Sequence, residues 1–252
     1  MKAEGKNLVE MKGVKLALSE KVILEDVSFS LPKGEVLVVM GLSGCGKSTL
    51  LGILMGLLTP DSGIVLFKGD DLTKMTRSNL NVARTQIGMV FQNAALISSL
   101  TVAENVALPL EELTKKSTSE IAEIVAQKLK LVDLEDASEK LPSELSGGMQ
   151  KRAGLARALA LEPELVLFDE PSAGLDPINS KLIDELIIKL RDQEKVTSIV
   201  VTHEMESAFI LATQMAFLHE GKILLYGSPD DFRNSKEPTI SDFLSSFKVA
   251  ET

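Results

Sequence analysis

The chain has 252 residues, 44% of them hydrophobic and 25% charged, which fits one large or two small globular domains with a substantial core. A formal net charge of −9, no Trp and one Tyr speak against a general grip on nucleic acid. One cysteine, Cys45, excludes an internal disulfide, no apolar run approaches the ~18 residues of a membrane helix, and the polar start Met1 to Lys6 lacks the apolar centre of a secretory signal.

In chain order, the first third reads as strands and turns. Val22 to Leu24 and Val27 to Leu31 are β-prone runs, and Pro32-Lys33-Gly34 is a turn. Val36 to Met40 is continuously apolar, the pattern of a strand buried on both faces. It runs into Gly41, Leu42, Ser43, Gly44, Cys45, Gly46, Lys47 and Ser48, the G-x-x-x-x-G-K-[ST] spacing of a phosphate loop, with Thr49 next. Glycines let backbone N–H groups turn toward phosphate oxygens, and a helix predicted over Ser48 to Leu58 adds its positive end. Lys47 is expected near the β- and γ-phosphates, and the Ser48 hydroxyl on Mg²⁺. Cys45 reads as a small filler, since no His partner is indicated nearby.

Thr59 to Gly63 ends that helix, and Ile64 to Phe67 returns as a strand closed by Gly69-Asp70. From about Leu72 to Leu161 the pattern is mostly helical, with apolar residues three and four apart over Ser119 to Leu131 and a break at Pro142. Leu145-Ser146-Gly147-Gly148-Met149-Gln150 then opens a second anion-suited helix start, ahead of a helix predicted over Lys151 to Leu161. One nucleotide needs only one such start.

Leu165 to Phe168 is a buried strand that ends in Asp169-Glu170-Pro171. Two adjacent carboxylates at a strand tip need a cation or a proton to accept: Asp169 suits Mg²⁺, and Glu170 is the natural general base for an attacking water. Helices over Ser180 to Asp192 and Met205 to Thr213 alternate with strands over Ser198 to Thr202, Met215 to Leu218 and Ile223 to Tyr226, which implies parallel pairing with helical crossovers. His219 reads as a loop residue. The tail from 238 to 252, with Phe243, Leu244 and Phe247, reads as a short packing helix.

The phosphate loop, the Leu145 to Gln150 segment, the carboxylate strand and His203 occur in the order and spacing of ATP-binding-cassette ATPases, and the chain resembles that family from about Leu8 to Phe232. The resemblance implies an α/β fold: a phosphate-loop NTPase core with a mostly parallel sheet, an N-terminal antiparallel β subdomain and an inserted helical subdomain. The ATPase domain is expected over 7–237, with the helical subdomain at about 94–160. The resemblance also implies that Ser146, Gly147 and Gly148 grip the γ-phosphate of ATP held by a second subunit, in a head-to-tail homodimer. Gln92 resembles the glutamine that touches Mg²⁺ and senses the γ-phosphate, His203 the switch histidine, and Ser172 to Asp176 the loop across which subunits communicate. The aromatic that often stacks on adenine is missing from Val14 to Ser19, where Leu16 or Leu18 is left to cover the base.

Phe91 to Leu96, Leu100 to Leu110, Leu141 to Glu144 and Gly174 to Ile178 are similar to the ATPase subunits of Mla/Mce-type phospholipid transporters. That likeness implies an ATP- and Mg²⁺-dependent subunit on the cytoplasmic face of the inner (plasma) membrane. Its implied partners are a permease docking near residues 93–110 and an MCE-type lipid-binding protein. The competing branches are amino-acid import and lipoprotein release. A soluble switch on ribosomes or DNA predicts tandem cassettes, a long coiled coil or a basic surface, none of which the sequence contains. A non-hydrolysing regulator conflicts with an intact Glu170, Gln92 and His203.

Overall fold

Alternating burial shapes the first sheet. The computed structural model describes residues 7–248, from 246 onward as backbone alone. Strand β1 (Asn7–Leu18) turns Val9, Met11, Val14 and Leu16 inward and pairs antiparallel with β2 (Lys21–Pro32). The two β-prone runs Val22 to Leu24 and Val27 to Leu31 belong to one strand: Asp26 between them has a left-handed φ of 61°, and the register shifts there without ending the pairing. After β3 (Val36–Met40) and helix α1 (Lys47–Leu54), strands β4 (Ser62–Phe67) and β5 (Asp70–Asp71) complete a four-stranded antiparallel sheet in the order β2-β1-β4-β5. Helix α1 stops four residues before the predicted Leu58, because Gly56 turns left-handed (φ 63°) and the N–H groups of Leu57 and Leu58 fold back onto the Gly52 carbonyl.

The middle of the chain is not wholly helical. Between α2 (Arg77–Arg84) and α3 (Val102–Leu113) lies β6 (Ile87–Val90), a strand of the second sheet. Three apolar residues and Gly88 carry no period that separates strand from helix. Helices α4 (Thr118–Leu131) and α5 (Gly147–Ala158) follow. α5 begins at Gly147, ahead of the predicted Lys151, because the Ser146 side chain caps it by accepting from Met149 N–H at 3.3 Å.

The remaining elements are β7 (Leu165–Asp169), α6 (Pro177–Asp192), β8 (Thr197–Val201), α7 (Met205–Leu211), β9 (Gln214–His219), β10 (Lys222–Gly227), α8 (Pro229–Arg233) and α9 (Pro238–Lys248). The second sheet runs β10-β9-β3-β8-β7-β6; β9, β3, β8, β7 and β6 are parallel, whereas β10 returns antiparallel along β9. His219 is the last residue of β9 and pairs with Lys222, so it is a strand residue and not the loop residue expected.

The strands' period of two divides the core. Val36, Val38, Met40, Phe168, Val200 and Phe217 face one hydrophobic cluster, with residues of α3 to α7; Leu37, Val39, Leu167, Ile199, Val201 and Leu218 face the other, with the antiparallel sheet and α1. Both faces of the parallel sheet are covered, as its apolar strands require. In α9, Ile240 is fully buried and the Phe243 ring meets Phe217 edge-on, with centroids 5.0 Å apart. The expected packing of Phe247 and residues 249–252 lie outside the described residues. Among the described residues, no helix is long and apolar enough to cross a membrane.

Candidate functional site

Parallel pairing puts the C-terminal ends of β3, β8, β7 and β6 along one edge of the sheet, where a ligand crevice forms in open α/β folds. The register aligns Val39 with Val201, Val201 with Asp169, and Phe168 with Val90. The residues just past these strand ends are the phosphate loop after β3, Glu170 after β7, Gln92 after β6 and His203 after β8. They line one cavity of ≈ 610 Å³, which takes in Gly41 to Gly44, Gly46 to Thr49, Gln92, Asp169, Glu170 and His203. The predicted residues outside its wall are Cys45, Ser146, Gly147 and Gly148.

The loop is built around its glycines. Gly46 caps α1 with φ 109°, and a Cβ there would come within 2.8 Å of Leu24 Cδ2. Lys47, 8% exposed, donates from Nζ to the carbonyls of Gly41 (2.8 Å) and Leu42 (3.1 Å), which aims the ammonium back along the loop. Ser48 Oγ donates to Asp169 Oδ1 at 3.3 Å. Burial pushes the Asp169 carboxyl above its ordinary range, the Ser48 hydrogen bond opposes this, Glu170 adds to it and Lys47 opposes it. Burial foremost raises the Cys45 thiol pKa, against the nearby Lys47 charge, so Cys45 stays a thiol and packs with the apolar cluster beneath the loop.

Glu170 is held through its N–H, its carbonyl and its carboxylate. Its φ of 49° is left-handed, which costs a non-glycine residue roughly 1–3 kcal/mol and persists only under firm support. Its N–H donates to Val201 O at 2.9 Å, and its carbonyl accepts from Ala173 N–H (3.2 Å) and Lys151 Nζ (3.2 Å). Its Oε2 lies 2.8 Å from His203 Nδ1.

The second anion-suited start stands apart from this cavity. Ser146 and Gly147 are exposed and Gly148 is buried. A Cβ on Gly148 would lie 2.4 Å from Asn179 Oδ1, so close packing of α5 on α6 requires that glycine; a Cβ on Gly147 would meet only Leu175 Cδ2 at an ordinary 3.7 Å. Nothing among the described residues explains why residue 147 lacks a side chain.

Several contributors escape a reading by motif. Ile23 and Phe243 also line the cavity, Phe243 from the far end of the chain. Of the two leucines expected near a base, Leu16 is buried in the first sheet's core, and Leu18 is 42% exposed. Arg157 on α5 donates to the carbonyls of Ala95 (2.7 Å) and Ala94 (2.9 Å), two left-handed residues (φ 50° and 55°) just past Gln92. Most of the apolar residues over 93–110 pack inward, with Val102, Val106 and Leu110 buried. Ala103 and Ala107 instead line a cleft of ≈ 400 Å³ between α3 and α4, with Ile121, Val125 and Leu129 on its wall and Glu104, Glu111, Glu135 and Glu139 around it.

Residues 24–173 match the family model described as "ABC transporter". The chain is 39% identical over 238 residues to the intermembrane phospholipid transport system ATP-binding protein MlaF of Escherichia coli (strain K12), covering 94% of this chain and 88% of that one. It is 40% identical over 241 residues to the probable ribonucleotide transport ATP-binding protein mkl of Mycobacterium leprae (strain TN), covering 96% of this chain and 70% of that one. Among solved structures it is similar to the dimeric ATP-binding cassette MJ0796 in a post-hydrolysis state bound to ADP and Pi, at 33% identity and TM-score 0.81 over 88% of this chain and 98% of that one. It also resembles cbiO1 from Clostridium perfringens, part of the ABC transporter complex cbiONQ, at 28% identity and TM-score 0.84 over 95% of this chain and 99% of that one.

Proposed function

This chain belongs to the ABC transporter family and is an ATP-hydrolysing subunit, and we propose that it powers the movement of phospholipids across a bacterial envelope from the cytoplasmic face of the inner membrane. The observation that carries the mechanism is the convergence of Lys47, Ser48, Asp169, Glu170 and His203 on one cavity while Gly147 stays exposed outside it.

The triphosphate of ATP lies along the backbone N–H groups of Gly44 to Thr49, with Lys47 against the β- and γ-phosphates. Ser48, Asp169 and Gln92 bring only oxygen donors to the same wall, a set that suits a hard dication. Asp169, disfavoured as an anion by burial, gains from such a cation beside it. Mg²⁺ held there would supply positive charge to the triphosphate. Glu170 takes a proton from water as the water oxygen attacks the γ-phosphorus, and the bond to the leaving ADP oxygen breaks with its electron pair going to ADP. His203 holds Oε2 of Glu170, which leaves Oε1 for the water, and its ring lies on the cavity wall that the phosphate loop shares.

Ser146, Gly147 and Gly148 complete the site of a second copy, each nucleotide lying between one phosphate loop and the other subunit's α5. The dimeric cassette among the structural relatives supports this arrangement. The helical subdomain, residues 94–160, then presents the α3–α4 cleft to a permease. An apolar wall ringed by four glutamates suits an amphipathic helix with basic flanks. The phospholipid cargo and an MCE-type partner follow the likeness to MlaF, which this chain matches over most of both lengths.

Two experiments test the reading. Glu170→Gln should abolish hydrolysis and accumulate an ATP-bound dimer on size exclusion; a strict monomer with ATP sinks the composite site. Co-purification of the native membrane complex should yield a permease and bound phospholipid; a complex that holds ribonucleotide cargo instead overturns the lipid assignment.

A further inference from the structure

Lys151 is a buried charge that the chemistry above does not use. It is 7% exposed, on the second turn of α5, the helix that starts at the Ser146 cap. A lysine is rarely buried unless its ammonium finds partners. Here burial lowers its pKa most, and the carboxylates of Glu204 and Glu170 act the other way. Its Nζ donates to the carbonyls of Ala173 (2.8 Å) and Glu170 (3.2 Å). One side chain thus spans from α5 to both the left-handed Glu170 and the loop that follows it.

We infer that Lys151 is a positioning residue for hydrolysis, coupling the placement of α5 to the aim of the Glu170 carboxylate. The inference rests on the reading of Glu170 as the general base. Of the contacts on Glu170, those to Val201, Ala173 and His203 come from the strands and loops around the cavity; Lys151 alone among the described contacts comes from the helix that carries Ser146. When Ser146 and Gly147 engage the nucleotide of a second copy, α5 is drawn toward it. A buried ammonium on α5, fixed to the backbone of Glu170, passes that displacement to the carboxylate. Water attack then becomes efficient only when the partner's nucleotide is in place.

A merely structural lysine would stabilise the loop without setting turnover, so the test separates kcat from binding. Lys151→Met keeps the aliphatic stem and removes the ammonium; Lys151→Arg keeps a cation and donors. In the full-length chain with Mg²⁺ and ATP, Lys151→Met should lower kcat roughly 10²-fold, as a misplaced catalytic group does, with KM and monomer nucleotide affinity within about twofold of the parent. Lys151→Met placed in a Glu170→Gln background should still form the ATP-dependent dimer, and Lys151→Arg should recover most of the rate. Turnover at the parent rate in Lys151→Met overturns the inference, as does a loss of kcat matched by equal losses of affinity and dimer. If Lys151→Met does not fold, Lys151→Gln, a neutral donor, takes its place, and parent turnover there overturns the inference equally. Hydrolysis persisting in Glu170→Gln overturns the base assignment itself; parent turnover in Lys151→Met beside an inactive Glu170→Gln overturns Lys151 alone.

Discussion

His203 Nδ1 lies 2.8 Å from Glu170 Oε2, and the His203 backbone N–H approaches the same oxygen at 3.4 Å. The histidine side chain is 57% exposed and the glutamate's only 13%, so the imidazole forms the outer edge of the pair and the carboxylate the inner. On the proposed mechanism, His203→Ala removes the ring that holds the general base at Oε2. The expected result is a fall in kcat of roughly 10²-fold, the usual loss for one preorganised donor, with nucleotide affinity little changed. Single-turnover hydrolysis beside a nucleotide titration checks it, and an unchanged rate removes His203 from the chemistry.

Lys47 donates to two carbonyls of its own loop, which fixes both its side chain and the loop's curve. Lys47→Ala should cost nucleotide affinity by at least about tenfold, since a charge-assisted contact to phosphate contributes about 1.5–3 kcal/mol. Titration with a fluorescent ATP analogue measures this directly. Unchanged affinity would mean that the ammonium serves the loop and not the ligand.

Gly147 and Gly148 should part company. Gly148→Ala pushes a methyl into Asn179, whose amide is tied to Asp176 at 2.6 Å, so thermal unfolding should show a loss of about 1–3 kcal/mol. Gly147→Ala meets no clash and should leave the monomer as stable or about 0.5 kcal/mol more so. It should nonetheless weaken ATP-dependent dimerisation in a Glu170→Gln background. A Gly147→Ala chain that dimerises normally would separate this glycine from the partner's nucleotide.

Asp184 on α6 accepts from Ser207 Oγ on α7 at 2.7 Å, while its other oxygen is buried with no partner among the described residues. Burial, opposed by the Ser207 hydrogen bond and reinforced by Glu204 and Glu206, pushes its pKa up to about 6. The folded state therefore holds this proton more tightly than the unfolded chain does. The contribution to stability is full below the ordinary carboxylate pKa and is lost as pH rises through about 6. Asp184→Asn stays neutral, so its melting temperature should exceed the parent's at neutral pH, with the gap closing toward about pH 4. Melting curves across that range decide it; an Asn variant less stable at neutral pH overturns the account.

Short-range patterns carried most of what the sequence made legible. The phosphate loop, the strand ahead of it, and the strand that ends in Asp169 and Glu170 each occupy a few consecutive residues whose spacing is itself the signal. β6 was not legible, because three apolar residues and a glycine fit either a strand or a buried helical turn. Phe243 and Ile23 reach the cavity only through tertiary packing, from segments more than two hundred residues apart. Lys151 and Arg157 look in sequence like solvated charges on a helix; their hydrogen bonds to left-handed backbone at Glu170, Ala94 and Ala95 follow from how α5 lies on the sheet, which no local spacing encodes.

The outward-facing Gly147 also carries a genetic consequence. If each nucleotide is sandwiched between two copies, a chain damaged at residue 147 keeps its own phosphate loop and spoils its neighbour's hydrolysis. In a cell that expresses both alleles equally, mixed pairs would outnumber intact ones, each with one spoiled and one working site, so the damaged allele would act dominantly wherever transport needs both. An allele altered at Lys47 would also leave one working site in such a pair, but the phosphate loop it disables is its own and not its neighbour's.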